Sequence, residues 1–257
     1  MSAPRPNRLV TCELSAGVGL LRLADPGHRN ALSPALSNDL ARAVEQMLSE
    51  GAGALVLSAE PPVFCAGGSL DALLSRAVPL AASYAGFTAL ASCPVPTIAA
   101  VSAPALGAGV NLPLACDVIL TSPAARFDPR WLDVGIHPGG GHLWRLAQRI
   151  GPQGAAALVL CGDVLDGAEA VTAGLAWRCV AADDLMPLAL KLARRAAGRP
   201  RELLARTKAS LRVSTQLTSA DAAMALELEA QEWSMDQPGF ADRIRAIQRS
   251  LAGRRSS

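Results

Sequence analysis

The chain has 257 residues, which is enough for one large domain or two small ones, and a net charge of +2. With 51% hydrophobic and 18% charged residues it does not resemble a disordered segment, and it has no lysine or arginine run suited to nucleic acid. No apolar run could span a membrane, and the six cysteines and three histidines show no metal-binding spacing. We expect no nucleic acid, no metal and no membrane insertion, and, since the start lacks an apolar leader, a cytoplasmic protein.

The first predicted elements are short strands, a helix and a buried strand. Apolar residues favour strands at 8–14 and 19–23. Ser33 followed by Pro34 is typical of a helix start, and leucines, a valine and a methionine then recur at helical spacing until Gly51. Residues 54–57 are wholly apolar, as in a strand that is covered on both faces. A loop rich in proline and glycine follows, and then helical segments up to residue 92.

A second unit repeats this order. Strands are predicted at 97–102 and 117–121, with a glycine-rich turn and a short helix at 107–115 between them. Helices at 151–160 and 166–173 lead to a strand at 177–180, and only helical patterns remain after residue 184. Alternating strands and helices indicate an α/β fold with largely parallel pairing. We assign residues 1–198 to this core and 199–257 to a helical region that packs on its own core or forms an oligomer interface.

Two glycine-rich turns are the main candidates for a binding site. Residues 64–71 read FCAGGSLD and residues 105–111 read ALGAGVN, each after an apolar strand. Small residues let a ligand approach the backbone, and the free N–H groups of a helix start point at negative charge. One such turn is often a plain packing turn. Two of them, about forty residues apart in equivalent contexts, favour a binding site.

At this point the chain resembles the crotonase (enoyl-CoA hydratase/isomerase) superfamily over roughly residues 9 to 252. The order and spacing of the matching stretches carry the resemblance, and they lie at 29–32, 64–68, 96–101, 105–109, 115–117, 135–141, 160–163 and 173–176. The resemblance implies a crotonase-type spiral of ββα units with a helical C-terminal region. It also implies a homotrimer or a hexamer made of two trimers.

The resemblance further implies an acyl-CoA ligand, with coenzyme A as part of the substrate and no separate cofactor. The thioester oxygen is expected between the backbone N–H groups of Gly68 and Ala108. One such donor contributes about 2.7–4 kcal/mol to stabilisation of an oxyanion. The residues expected to contact the coenzyme A portion are Arg29, Asn30, Ala31, Ala66, Gly67, Gly68, Leu70 and Gly107.

The chain departs from the hydratases at both positions where they carry a catalytic glutamate. By the match of motifs, these positions hold Asn111 and Trp131 here. Neither an amide nor an indole exchanges a proton near neutral pH. Since a positioned acid or base contributes about 10²–10⁴-fold in rate, ordinary hydratase activity is doubtful. Asn111 is interpreted either as a contact to ligand or water or as a structural amide, and Trp131 either as a catalytic-site residue or as a pocket wall.

Asp128, Asp133 and His137 are the candidates to replace the glutamates, because they lie in the loop that should cover the acyl pocket. A histidine has the most suitable pKa for a base. For each there is a structural alternative. Asp128 would cap a turn, Asp133 would be solvated or paired with Arg130, and His137 would be a loop histidine with satisfied hydrogen bonds.

Two functions therefore stay open. The first is an enzyme of the hydratase/isomerase group, acting in fatty-acid or acyl-CoA metabolism with an altered proton-transfer set. The second is a non-catalytic acyl-CoA-binding or carrier protein. Two apolar stripes in the C-terminal helical region predict the oligomer interface. One stripe contains Met224, Leu228 and Met235, and the other contains Leu226 and Trp233.

Overall fold

A computed structural model describes residues 8–254, which contain two sheets and ten α-helices. The strands are β1 Val10–Ser15, β2 Val18–Leu23, β3 Ala54–Ala59, β4 Thr97–Val101, β5 Ala105–Leu106, β6 Val118–Thr121, β7 Arg126–Asp128, β8 Leu165–Asp166 and β9 Arg178–Cys179. The helices are α1 Pro34–Ser49, α2 Leu70–Ser75, α3 Ala85–Ser92, α4 Asn111–Ala115, α5 His142–Leu160, α6 Gly167–Thr172, α7 Ala182–Ala197, α8 Arg201–Ser214, α9 Ala220–Met235 and α10 Phe240–Arg254.

The larger sheet has the strand order β1-β2-β3-β4-β6-β9. Only the β1–β2 pair is antiparallel, and the pairs from β2 to β9 are parallel. The smaller sheet has the order β5-β7-β8. The largely parallel pairing predicted from the sequence is therefore present.

The buried strand β3 explains how the core is divided. Leu55 and Leu57 face one apolar cluster together with α1, whereas Ala54 and Val56 face a second cluster that includes α7. Side chains alternate between the two faces of a strand, so a strand that is covered on both faces has an unbroken apolar sequence. The core thus fixes the strand end from which the first glycine-rich turn departs.

Helix α1 begins and ends where the sequence predicts. The Ser33 hydroxyl accepts a hydrogen bond from the Leu36 N–H at 3.1 Å, and Pro34 occupies the first turn. An N-cap of this kind contributes about 1 kcal/mol. The helix buries one face that includes Leu40 and Met47, and it packs against α3.

The chain divides into two compact units between Arg199 and Pro200, one residue beyond the predicted boundary. In the second unit, Arg206 donates a hydrogen bond to Glu229 at 2.8 Å and lies over the Trp233 ring. Exposed apolar side chains on α9 and α10 are Met224, Leu228, Met235, Ile244, Ile247 and Leu251. They belong to the surface for which the sequence predicts an oligomer interface, and the assembly itself stays a prediction.

Some elements differ from the sequence-based expectation. The three strands of the smaller sheet were not predicted, because two or three residues give no readable periodicity. The first half of α5, which begins at His142 directly after three glycines, was also missed. Within the described residues, no helix is both long and apolar enough to cross a membrane.

Candidate functional site

A largely apolar cleft of about 120 Å³, open to solvent, lies in the first unit. Its walls come from the turn after β3, the segment leading into α3, and the loop between β7 and α5. Leu73, Phe87, Trp131 and Ile136 supply apolar surface. An apolar lining of this kind suits a ligand with an apolar part.

The two glycine-rich turns meet at this cleft. Cys65 and Ala105 form a parallel β-bridge, in which the Leu106 N–H donates to the Cys65 carbonyl at 2.9 Å. Gly67 has φ +97°, and a Cβ added there would lie 2.8 Å from the Leu106 carbonyl oxygen. Only glycine accepts both the conformation and the contact. The backbone of one turn is thereby placed directly against the backbone of the other.

Gly68 and Ala108 both line the cleft. Gly68 forms a bridge with Leu32 whose hydrogen bonds use the N–H groups of Leu32 and Ser69. Among the described residues, none accepts a hydrogen bond from the N–H of Gly68. Ala108 is the second residue of the 3-10 helix Gly107–Val110, where a backbone N–H has no partner within the helix. Both residues thus line the cleft, and neither backbone N–H has a hydrogen-bond acceptor among the described residues.

Asn111 is buried, and its side chain is engaged by protein groups. Its Nδ2 donates to the Gly139 carbonyl at 3.1 Å, and its Oδ1 lies 2.9 Å from His142 Nδ1. Since Asn111 Oδ1 can only accept, Nδ1 of His142 carries the proton. Asn111 does not line the cleft. This arrangement is the structural amide that the sequence left open as one alternative.

Trp131 is buried and lines the cleft, with its ring edge-on to His142 at a centroid distance of 5.4 Å. His142 itself is fully buried, and its burial, with a smaller effect from the charge of Arg145, lowers its pKa to about 4. His142 is therefore neutral at physiological pH. The indole of Trp131 forms a wall of the pocket, and its Nε1 has no hydrogen-bond partner among the described residues.

The two aspartates occupy different surroundings. Asp128 is paired with Arg130, whose Nε donates to Asp128 Oδ2 at 3.0 Å. The same ion pair raises the pKa of the Arg130 guanidinium. Asp133 is exposed and does not line the cleft, although its charge also acts on Arg130. Neither aspartate lines the cleft, so neither is well placed for proton transfer there.

His137 lines the cleft, and its Nδ1 lies 2.8 Å from the Pro138 carbonyl oxygen. That oxygen can only accept, so Nδ1 donates this hydrogen bond, and Nε2 has no hydrogen-bond partner among the described residues. Tyr84, the only tyrosine of the chain, also lines the cleft, and its ring centroid lies 5.2 Å from that of Phe87. These two side chains bring proton-exchanging groups to the cleft.

The residues expected to contact coenzyme A are placed in two groups. Ala66, Gly67, Gly68, Leu70 and Gly107 line the cleft. The segment of Arg29 and Ala31 adjoins it, because the Ala66 N–H donates to the Arg29 carbonyl at 3.0 Å. Asn30 is fully buried, and its side chain bonds to the backbone of Asp25, Glu60 and Val63. It shapes this segment, and its side chain is not available to a ligand.

Several residues of the site were not found from the sequence. Tyr84 and Phe87 lie in a helical segment without a motif, and Arg130 and Arg145 carry no recognisable spacing. His142 follows the glycine run directly, and a polar residue at the start of a helix has no sequence signal for burial. Burial raises the pKa of the Cys65 thiol to about 12, so this cysteine beside the first turn is not a nucleophile. Within the described residues, no cluster of three potential metal ligands exists.

Comparison with known proteins shows the family of the chain. The family model described as enoyl-CoA hydratase/isomerase matches residues 13–241. A Mycobacterium tuberculosis protein named "Probable enoyl-CoA hydratase EchA14" is 41% identical over 244 residues, which cover 90% of this chain and 94% of the relative. A Rhizobium meliloti protein named "Probable enoyl-CoA hydratase" is 34% identical over 213 residues, covering 81% and 83%.

Solved structures give the same answer for the fold. An enoyl-CoA hydratase subunit I from Geobacillus kaustophilus superposes with a TM-score of 0.86 at 27% identity, covering 94% of this chain and 95% of its own. An enoyl-CoA hydratase from Mycobacterium smegmatis superposes with a TM-score of 0.85 at 26% identity, covering 94% and 96%. The fold expected from the resemblance is confirmed. The chain belongs to the enoyl-CoA hydratase/isomerase family of the crotonase superfamily.

Proposed function

We propose that this protein is an enzyme of acyl-CoA metabolism that binds an acyl-CoA thioester in the cleft and stabilises its enolate. The carbonyl oxygen of the thioester lies between the N–H groups of Gly68 and Ala108. The observation that carries this proposal is that both N–H groups belong to one apolar cleft and are not used by the fold. Such a pair acts on charge that develops on the oxygen during the reaction, with about 10²–10³ in rate per donor.

Proton transfer must differ from a reaction that uses two glutamates. Asn111 is held by Gly139 and His142, and Trp131 is a wall of the cleft. Of the candidates from the sequence, His137 alone combines a position in the cleft with a free basic nitrogen. We assign His137 the role of the base that removes or returns a proton next to the thioester carbonyl, in an isomerase-like reaction.

A non-catalytic acyl-CoA-binding protein is the second candidate. It is favoured by Asn111 and Trp131, because both residues are fixed by internal contacts and neither transfers a proton. The two candidates share the binding site and differ only in turnover. The assembly as a trimer or hexamer and the cytoplasmic location stay predictions from the sequence.

Binding is tested by calorimetry with a CoA thioester and with the corresponding free acid. We expect the thioester to bind far more tightly, because the two donors and the coenzyme A contacts recognise the thioester portion. Equal affinity for the acid and its CoA ester would contradict the proposed site and with it both candidate functions.

Turnover is tested with a panel of enoyl-CoA esters, followed by the loss of the conjugated chromophore and by proton exchange at the carbon next to the carbonyl. We expect exchange with the wild type and its loss in His137→Gln, which cannot take up a proton. Asp133→Asn changes an exposed carboxylate outside the cleft and should leave the exchange unchanged. Tight binding without any exchange would favour the non-catalytic alternative.

A further inference from the structure

Two buried nitrogen atoms beneath the cleft lack a partner. Trp131 Nε1 and His142 Nε2 are the buried side-chain nitrogen or oxygen atoms in the described part of the chain without a hydrogen bond. An unsatisfied buried polar group destabilises the folded state, so each such atom in a folded protein calls for an explanation. The two rings are in contact, edge to face, with centroids 5.4 Å apart. Their unpartnered atoms therefore belong to one buried region.

The two atoms are chemically complementary. The indole Nε1 can only donate a hydrogen bond. His142 Nδ1 donates to Asn111 Oδ1 at 2.9 Å, which leaves Nε2 of the neutral ring as an acceptor. A single water molecule can accept from the first atom and donate to the second. Polar buried sites with two to four partners are where ordered water is found in proteins.

We propose that one buried water molecule joins Trp131 Nε1 to His142 Nε2, and that His142 is the positioning residue for both Trp131 and Asn111. A continuous series of hydrogen bonds then runs from the Gly139 carbonyl through Asn111, His142 and the water to the indole. It fixes the pocket wall and the loop that carries Gly139 in one arrangement. The two positions that hold glutamates in hydratases are thereby joined to each other behind the cleft.

The charge state of His142 agrees with this arrangement. Burial keeps its ring neutral, so that Nε2 stays an acceptor over the physiological range. The charged group that acts on the ring is Arg145, which lies over the Phe87 ring and bonds to the Gly140 carbonyl. A positive charge on the His142 ring would be repelled by this guanidinium. The neutral form with the proton on Nδ1 is the form that the proposal requires.

The proposal is tested by NMR on the full-length protein labelled with ¹⁵N, without ligand. With only three histidines and four tryptophans, loss of a signal in Trp131→Phe or His142→Asn assigns the relevant nitrogens. We expect His142 to carry its proton on Nδ1 alone, and the Trp131 indole proton to exchange slowly yet show magnetisation transfer from water. A proton on His142 Nε2, or no water contact at the Trp131 indole proton, would overturn the proposal.

Two conservative variants separate positioning from mere packing. An asparagine places an amide near Nδ1, so His142→Asn should keep the Asn111 amide signals and shift the Trp131 indole signal. A glutamine reaches the position of Nε2, so His142→Gln should have the reverse effect. If both variants shift both signals equally, His142 only fills space and the proposal is wrong. These measurements need no acyl-CoA, so their outcome is independent of the proposed function.

Discussion

The buried His142 makes a defined contribution to the pH dependence of stability. Its pKa is about 4 in the folded protein, against about 6.5 for an ordinary histidine in an unfolded chain. Protons therefore bind the unfolded chain more strongly, and stability is lost as the pH falls from about 6.5 towards 4. Between pH 7.5 and pH 5, proton linkage lowers the free energy of unfolding by about 2 kcal/mol for this group alone.

The assay is urea unfolding at pH 7.5 and pH 5 for the wild type and His142→Asn. Other titrating groups are common to both proteins, so the difference between their two pH effects isolates His142. On acidification, we expect the free energy of unfolding to fall by about 2 kcal/mol more in the wild type than in the variant. His28→Asn is the matched control, because His28 is exposed and Asp25 raises its pKa, so its removal should not reduce the loss on acidification. An equal loss in the wild type and His142→Asn would show that His142 is not buried in its neutral form.

Three further outcomes are expected. Crotonyl-CoA hydration by the wild type should be at least about a thousandfold slower than in a two-glutamate hydratase, and an ordinary rate would contradict this prediction. Only the double variant Asn111→Glu with Trp131→Glu should raise the rate, provided that circular dichroism shows that it folds. Gly140→Ala should lower the free energy of unfolding by about 1–3 kcal/mol more than Gly135→Ala, measured by urea unfolding. Both glycines have φ +70°, but a Cβ at Gly140 would lie 2.5 Å from a ring carbon of Phe87, whereas a Cβ at Gly135 would meet no atom within 4 Å. Equal losses of unfolding free energy in the two variants would refute the packing argument. Light scattering at micromolar concentration should show a trimer or hexamer, and a stable monomer would refute the predicted oligomer interface.

The sequence predicted the large elements because their signals are strong. The Ser33-Pro34 start and the apolar residues of 54–57 follow local rules that tertiary contacts did not override. The second glycine-rich turn was recognised because a strand, glycines and a helix start occur together there. Strands of two or three residues, such as β5, are held by pairing with distant strands and cannot be read from their own residues.

The site was predictable where the backbone forms it. Gly68 and Ala108 were expected from the family resemblance, which the two turns help to carry, and both residues line the cleft. The state of Asn111 was not predictable, because it depends on His142, which is 31 residues away and buried for reasons that its neighbours do not encode. The pairing of Asp128 with Arg130 similarly depends on a loop conformation that has no repeating pattern.

The bridge between Cys65 and Ala105 bears on how such a protein can change during evolution. Because main-chain atoms of two turns hold each other, the spacing of the two donors does not depend on which side chains occupy the neighbouring pocket. If the protein holds a thioester as proposed, residues 111 and 131 can therefore be exchanged without losing the means to hold it. Selection can then alter the reaction, or remove it, while recognition of the substrate class is inherited unchanged.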